Sequence, residues 1–260
     1  MVQNCCEYAR RTYSKSVQQR LSSLLDVPIA FAHRGARAHA QENTIDAFAL
    51  ALRLGSTGLE TDIWLTEDDQ PILDHDGVVR RLFRKSPIRD FQRSELPQHI
   101  PSFAELVEHV GMNYHLSIDV KDPAAFEVII AQAESTGFPQ ERLWLCHPDM
   151  DELNTFLAAQ EGIKRVHSTR LAKMPAGPER HAADLQRSGI HVVNMHHSDW
   201  TGGLTTLFHR FGILCFAWDI QHEAKMVDVI RMGIDGVYSD HVDMMMEVVH
   251  RETGNNPILA

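Results

Sequence analysis

Four short motifs fall within residues 33–76: His33-Arg34-Gly35, Glu42-Asn43-Thr44, Glu60-Thr61-Asp62 and His75-Asp76. Two imidazoles can take and give protons. Paired carboxylates can hold a hard cation, and a guanidinium can neutralise phosphate oxygens. These are the parts of a metal-assisted phosphoryl-transfer site. Asp119 and Lys121 lie further on and can add a third carboxylate and an ammonium. Three oxygen ligands with open positions suit Mg²⁺ or Ca²⁺ better than zinc, which prefers nitrogen and sulfur.

The elements around these residues set their placement. Strand-like runs occur at 28–33, 58–65, 115–120, 142–147, 163–168, 190–195, 212–218 and 234–239. Most are short apolar runs rather than alternations, the pattern of strands buried on both faces. Amphipathic stretches separate them. The run after Thr44 has that residue as its N-cap and Gly55 as its stop, and Ser102 with Glu105 forms a capping box. Eight β/α units predict a (β/α)8 TIM barrel, with a doubly wound open sheet as the other topology that strand counting allows. Active sites of such barrels form where strands end and βα-loops begin. His33 ends the first strand. Glu60 and Asp62 are two apart on the second, so one face carries both.

The predicted organisation is an N-terminal helical extension at 1–27 and one barrel domain at 28–250. A small charged, proline-punctuated insertion at 76–101 follows the second strand. The insertion carries Arg80, Arg81, Arg84, Lys85, Arg89 and Arg93. It reads first as a solvated loop, and second as a lip that attracts a phosphate head group.

Composition narrows the function classes. A hydrophobic fraction of 43% supports a substantial core, and the net charge of −10 argues against a nucleic-acid partner and against adhesion to an anionic membrane. The sequence shows no apolar run of membrane-spanning length and no apolar core of a secretory signal at residues 1–21. Cys146 and Cys215 sit in apolar runs and read as buried thiols, which fits a reducing, cytoplasmic location. Sixteen histidines mean that most are ordinary. Those in helical or loop segments, His181 and His209 among them, read as surface residues. His147, His196 and His197 lie near strand ends and are lesser candidates for lining the site.

The run from Ala32 to Asp76 resembles the N-terminal signature of the glycerophosphodiester phosphodiesterase family, in the order His-Arg-Gly, Glu-Asn-Thr, Glu-x-Asp and His-Asp. The segments LSIDVKD, ILCFAWDI and GIDGVYSDHVD resemble later family segments, so the likeness runs from about 28 to 245. It implies a TIM barrel that hydrolyses glycerophosphodiesters, such as glycerophosphocholine, with a divalent cation. His33 and His75 match the catalytic histidines, and Glu60, Asp62 and Asp119 the metal ligands. Arg34 and Lys121 match phosphate-contacting positions, Glu42 lines the site, and Trp218 forms an aromatic wall near the alcohol. The chain departs from the family at Asp119, where Glu is usual, at Trp218-Asp219-Ile220, and at Ser239-Asp240-His241. An Asp at the position of Asp119 also occurs in spider sphingomyelinase D enzymes, which lack the Glu-Asn-Thr element. The expected partner is a small phosphodiester. The alternatives are a lysophospholipase D or sphingomyelinase D-like enzyme that forms a cyclic phosphate on a lipid, and a binding barrel without turnover.

Overall fold

A computed structural model describes residues 20–81, 84–157 and 159–254. In chain order its elements begin with β1 (Ile29–His33), α1 (Ile45–Arg53), β2 (Gly58–Leu65), β3 (Pro71–Leu73), β4 (Val78–Arg81) and β5 (Arg84–Pro87). They continue with α2 (Phe103–Val110), β6 (His115–Val120), α3 (Ala125–Thr136), β7 (Leu143–His147), α4 (Met150–Leu157) and β8 (Lys164–Thr169). The last are α5 (Pro178–Arg187), β9 (Val192–His196), α6 (Gly202–Arg210), β10 (Leu214–Trp218), α7 (Glu223–Arg231), β11 (Gly236–Ser239) and α8 (Val242–Thr253).

Eight parallel strands run β1-β11-β10-β9-β8-β7-β6-β2, and β1 pairs with β2 to close the ring. This is the (β/α)8 TIM barrel, and the open sheet is excluded by that closing pair. All eight strands of the ring lie where the apolar runs predict them. The predicted caps also form. Thr44 accepts from the Ala47 N–H at 3.2 Å, and Ser102 and Glu105 exchange the two bonds of a capping box.

Side-chain alternation divides each strand between two cores. One set of positions, such as Leu59, Ile63, Ile118, Leu145 and Val193, packs against helix residues including Phe48, Phe126 and Phe208. The other set fills the barrel interior with Ile29, Phe31, Trp144, Val166, Val192, Phe216 and Tyr238. Two glycines make this aromatic plug possible. A Cβ on Gly58 would lie 2.5 Å from the Phe31 ring, and one on Gly236 would lie 2.6 Å from the Phe216 ring. Phe31 stacks on Tyr238 with centroids 4.7 Å apart. Above this plug the interior positions become polar, and there the site begins.

The segment after β2 is more ordered than a solvated loop. β3 pairs antiparallel with β2, and β4 with β5 form a hairpin. Ile72, Val79, Ile88, Phe91, Leu96 and Ile100 make a satellite core beneath it. Arg89 pairs with Asp69 at 3.0 Å and Arg93 with Glu105 at 2.8 Å, so these two cations hold the segment in place.

Residues 1–19 of the expected N-terminal helix lie outside the described residues, and 20–27 run as an extended, bent lead-in rather than a helix. Leu25 of that lead-in packs against the interior cluster at the strand N-terminal end. Asp235, fully buried, accepts from the backbone N–H groups of Leu24, Leu25 and Cys215 at 2.6, 3.1 and 2.8 Å and pairs with His209 at 2.7 Å. His209 is therefore a structural partner and not a surface residue. His181 is likewise half-buried. Its Nε2 donates to Nδ1 of the buried His167, whose Nε2 donates to the Pro148 carbonyl.

Burial, helped by the neighbouring His181, pushes His167 down to about 4. Such a group binds its proton more readily in the unfolded chain. Its contribution to stability is complete above the ordinary value of 6.5 and is lost as pH falls towards 4. Between pH 7 and pH 5 the wild type should lose on the order of 2 kcal/mol more than His167→Gln, measured by denaturant titration at both pH values. Equal losses in the two proteins would remove His167 as the cause.

Candidate active site

The catalytic face is built first by a strained turn. Arg34 follows β1 with φ 53°, a left-handed conformation uncommon for a side-chain-bearing residue. That conformation points the Arg34 N–H at Glu60 Oε2, 3.0 Å away. Gly35 comes next with φ 84°, and a Cβ there would sit 2.8 Å from Ala47, so the turn can press against α1 only with glycine. The two front motifs then grip each other. The Asn43 N–H donates to the Arg34 carbonyl at 3.0 Å, and Arg34 Nη1 donates to both Glu42 carboxylate oxygens at 3.2 and 3.3 Å. Asn43, also left-handed, accepts from Thr61 Oγ1 at 2.9 Å, which fastens the Glu-Asn-Thr loop to β2.

Strand register places the acids. His33 lies beside Glu60 across the β1–β2 pair, and Asp62 lies beside Asp119 across the β2–β6 pair. Asp119 therefore reaches the same level as Asp62 despite its short side chain. A cavity of about 560 Å³ opens here, and His33, Arg34, Glu60, Asp62, His75, Asp119, Lys121 and Trp218 all line it. Glu42 does not; it stands behind Arg34 and Arg37 and borders a second cavity of about 300 Å³. His147, His196 and His197 are absent from the main lining, as are the insertion arginines whose side chains are described; Arg80 borders the second cavity.

Each histidine has a carboxylate behind it. His33 Nδ1 meets Asp240 Oδ1 at 2.6 Å, which leaves Nε2 facing Glu60 at 3.8 Å. His75 Nδ1 meets Asp76 Oδ1 at 3.0 Å. Burial opposes charge on His33, but Glu60 and Asp240 outweigh it and raise its pKa. Burial would also raise Asp240, but His33 and Arg37 hold it below the usual range.

Negative charge is in excess. Where the strand ends meet, the three acids Glu60, Asp62 and Asp119 have two fixed cations among them, Arg34 and Lys121, and Arg34 is shared with Glu42. Lys121 bridges Asp62 at 3.0 Å and Asp119 at 2.5 Å. Burial pushes Glu60 up to about 7, with His33 opposing and Asp62 adding, and burial likewise raises Asp119 against the pull of Lys121. Among the described residues Asp62 Oδ2 has no hydrogen-bond partner, and it pairs only loosely with Arg34 Nε at 3.6 Å. A buried carboxylate oxygen so weakly met, beside further carboxylates, fits a hard divalent cation such as Mg²⁺ or Ca²⁺. Glu60, Asp62 and Asp119 are the residues that can hold it.

Sequence reasoning missed several lining residues: Arg37, Ser117, Ser168, Arg170, Lys173, Asn194 and Asp219, together with Asp240 behind His33. Strand parity would have found Ser168, Asn194 and Asp240. Ser168 and Asn194 fall on the inward-facing sets of β8 and β9, and Asp240, one residue past the end of β11, continues the inward alternation of Gly236 and Tyr238.

The profile of the Glycerophosphoryl diester phosphodiesterase family matches residues 33–244. A glycerophosphodiester phosphodiesterase of Caldanaerobacter subterraneus is 23% identical over 247 residues, 86% of this chain and 98% of the relative. The crystal structure of a glycerophosphodiester phosphodiesterase from Thermotoga maritima superposes with a TM-score of 0.75 at 23% identity, over 85% of this chain and 98% of that one. A phosphodiesterase of Oleispira antarctica, solved with the product sn-glycerol-3-phosphate, superposes with a TM-score of 0.74 at 22% identity, over 86% and 97% of the two chains.

In cation-free buffer at pH 8, Glu60→Gln should melt at a higher temperature than the wild type, because it removes one repelling carboxylate. Adding Mg²⁺ or Ca²⁺ should raise the wild-type melting temperature with concentration and raise that of Glu60→Gln less. A wild-type melting temperature indifferent to both cations would refute the cation site.

Proposed function

The chain belongs to the glycerophosphoryl diester phosphodiesterase family, and from that premise we propose that it hydrolyses glycerophosphodiesters to glycerol 3-phosphate and an alcohol with His33 and His75 as the proton-transfer pair. The observation that carries this reading is the convergence of two carboxylate-backed imidazoles on one cavity with three acids. Glu60, Asp62 and Asp119 hold a divalent cation, Mg²⁺ or Ca²⁺, which when bound supplies Lewis-acid stabilisation of phosphate charge.

The chain's own groups do the rest. Arg34 and Lys121 line the cavity and place positive charge beside the phosphate, where charge develops during transfer. Asp240 fixes the His33 ring through Nδ1, so that Nε2 is the nitrogen presented to the reactants. Asp76 does the same for His75. One imidazole takes a proton from the attacking water as its oxygen bonds to phosphorus, and the other gives a proton to the departing alkoxide as the P–O bond to the alcohol breaks. Trp218 walls the alcohol side of the cavity. The polar, charged lining favours a water-soluble diester over a lysolipid, whose acyl chain needs an apolar channel. Among the described residues no helix is long and apolar enough to cross a membrane.

His33→Ala and His75→Ala should each lower kcat by roughly 100- to 10,000-fold on glycerophosphodiesters, with the fold retained. A substrate with a p-nitrophenol leaving group needs no general acid. The variant that recovers most on it identifies the acid. Near-wild-type turnover by both variants would sink the mechanism, and activity that survives exhaustive chelation would sink the cation's part in it. Asp240→Asn should lower kcat about tenfold or more with little change in KM, because it frees the His33 ring without touching the substrate.

A further inference from the structure

We propose that Asn194, with Ser168 beside it, reads a hydroxyl of the alcohol, and that the enzyme's natural diesters carry a neutral or anionic polyol rather than a quaternary ammonium. The inference rests on the phosphodiesterase reading above and names the substrate class of the same cavity.

Ring geometry places the pair. In the closed order of the barrel, β8 lies opposite β1, and β9 lies opposite β2. Ser168 on β8 and Asn194 on β9 are register partners, and both line the cavity. They therefore face His33, Glu60 and Asp62 across its width. A phosphate met by Arg34 and Lys121, on the side of the carboxylates, leaves one of its two ester groups free to extend towards this wall.

Asn194 has unmet hydrogen-bonding capacity. It is only 7% exposed, and among the described residues its Oδ1 has no hydrogen-bond partner and its Nδ2 reaches only Ser168 Oγ at 3.5 Å. A buried amide in this state is costly unless something else completes it. The two amide orientations differ in which atom is left over, an acceptor or a donor. A hydroxyl, donor and acceptor at once, completes either one. A trimethylammonium group completes neither.

Charge points the same way. The strand end that carries Ser168 continues into Arg170 and Lys173, which also line the cavity. Asp199 holds Arg170 at 2.6 and 3.2 Å, and the guanidinium stands 5.8 Å over the Trp218 ring. One face of the indole that could receive an organic cation already carries a guanidinium. Asp219 is the opposing acid on this wall, and His196 pairs with it at 3.2 Å.

The test compares kcat/KM on sn-glycero-3-phosphoglycerol and sn-glycero-3-phosphoinositol with that on sn-glycero-3-phosphocholine, at saturating Mg²⁺ and at saturating Ca²⁺. The wild type should favour the two polyol esters. Asn194→Leu should lower the polyol-to-choline ratio by about tenfold or more, and Ser168→Ala by a few-fold. Ser168→Ala carries the test if Asn194→Leu does not fold, as judged by its melting curve. A wild-type preference for choline, an unchanged ratio in the variants, or equal losses on all three esters would overturn the inference while leaving the phosphodiesterase reading intact. Failure of the wild type to cleave any of the three would overturn that reading, and the inference with it.

Discussion

Pairing of β1 with β2 is the constraint on which the site depends. It closes the barrel, and its register sets His33 beside Glu60. A shift of one residue would turn His33 outward, or send Glu60 and Asp62 into the layer now filled by Leu59 and Ile63. The parity of both strands is locked by burial on both faces, because the aromatic plug fills one side and the helix layer the other. Stability and chemistry thus share one set of hydrogen bonds. The acids are held where they repel, and the cost is borne by a fold with no alternative register.

The left-handed turn at Arg34 follows from the same pairing. With His33 and Glu60 fixed side by side, the chain must leave β1 sharply enough for the Arg34 N–H to reach the Glu60 carboxylate. Backbone strain of this kind persists only where its surroundings over-determine it. Here the surroundings are named: the Asn43 N–H on the Arg34 carbonyl, Glu42 on its guanidinium, and Ala47 against Gly35. The eight-residue offset from Arg34 to Glu42 is the length of chain needed to come back and make those contacts.

Much of the barrel was legible in the chain because parallel strands buried on both faces read as short apolar runs, GLETDIWL among them. The front cluster was legible because its residues lie close in sequence. What escaped notice depends on distant partners or weak local patterns. Asp240 binds a histidine 207 residues away and follows a strand that ends at Ser239, so it read as loop. His209 sits on an otherwise ordinary helix, and only Asp235 explains its burial. The strands β3, β4 and β5 are three or four residues long, and the hairpin is charged, too little for an apolar period to register. The lead-in at 20–27 reads locally as the end of a helix, because its leucines carry no mark of the docking that Asp235 sets from the far end of the chain.

The aromatic plug also governs traffic. Phe31, Trp144, Phe216 and Tyr238 fill the barrel below the acids, and Leu25 packs beneath them. The cavity is accordingly a vessel with one mouth. Diester, water and both products must pass the same rim, past Arg170, Lys173 and Trp218. With one mouth, an incoming and an outgoing molecule cannot pass each other, so filling and emptying the cavity must take turns.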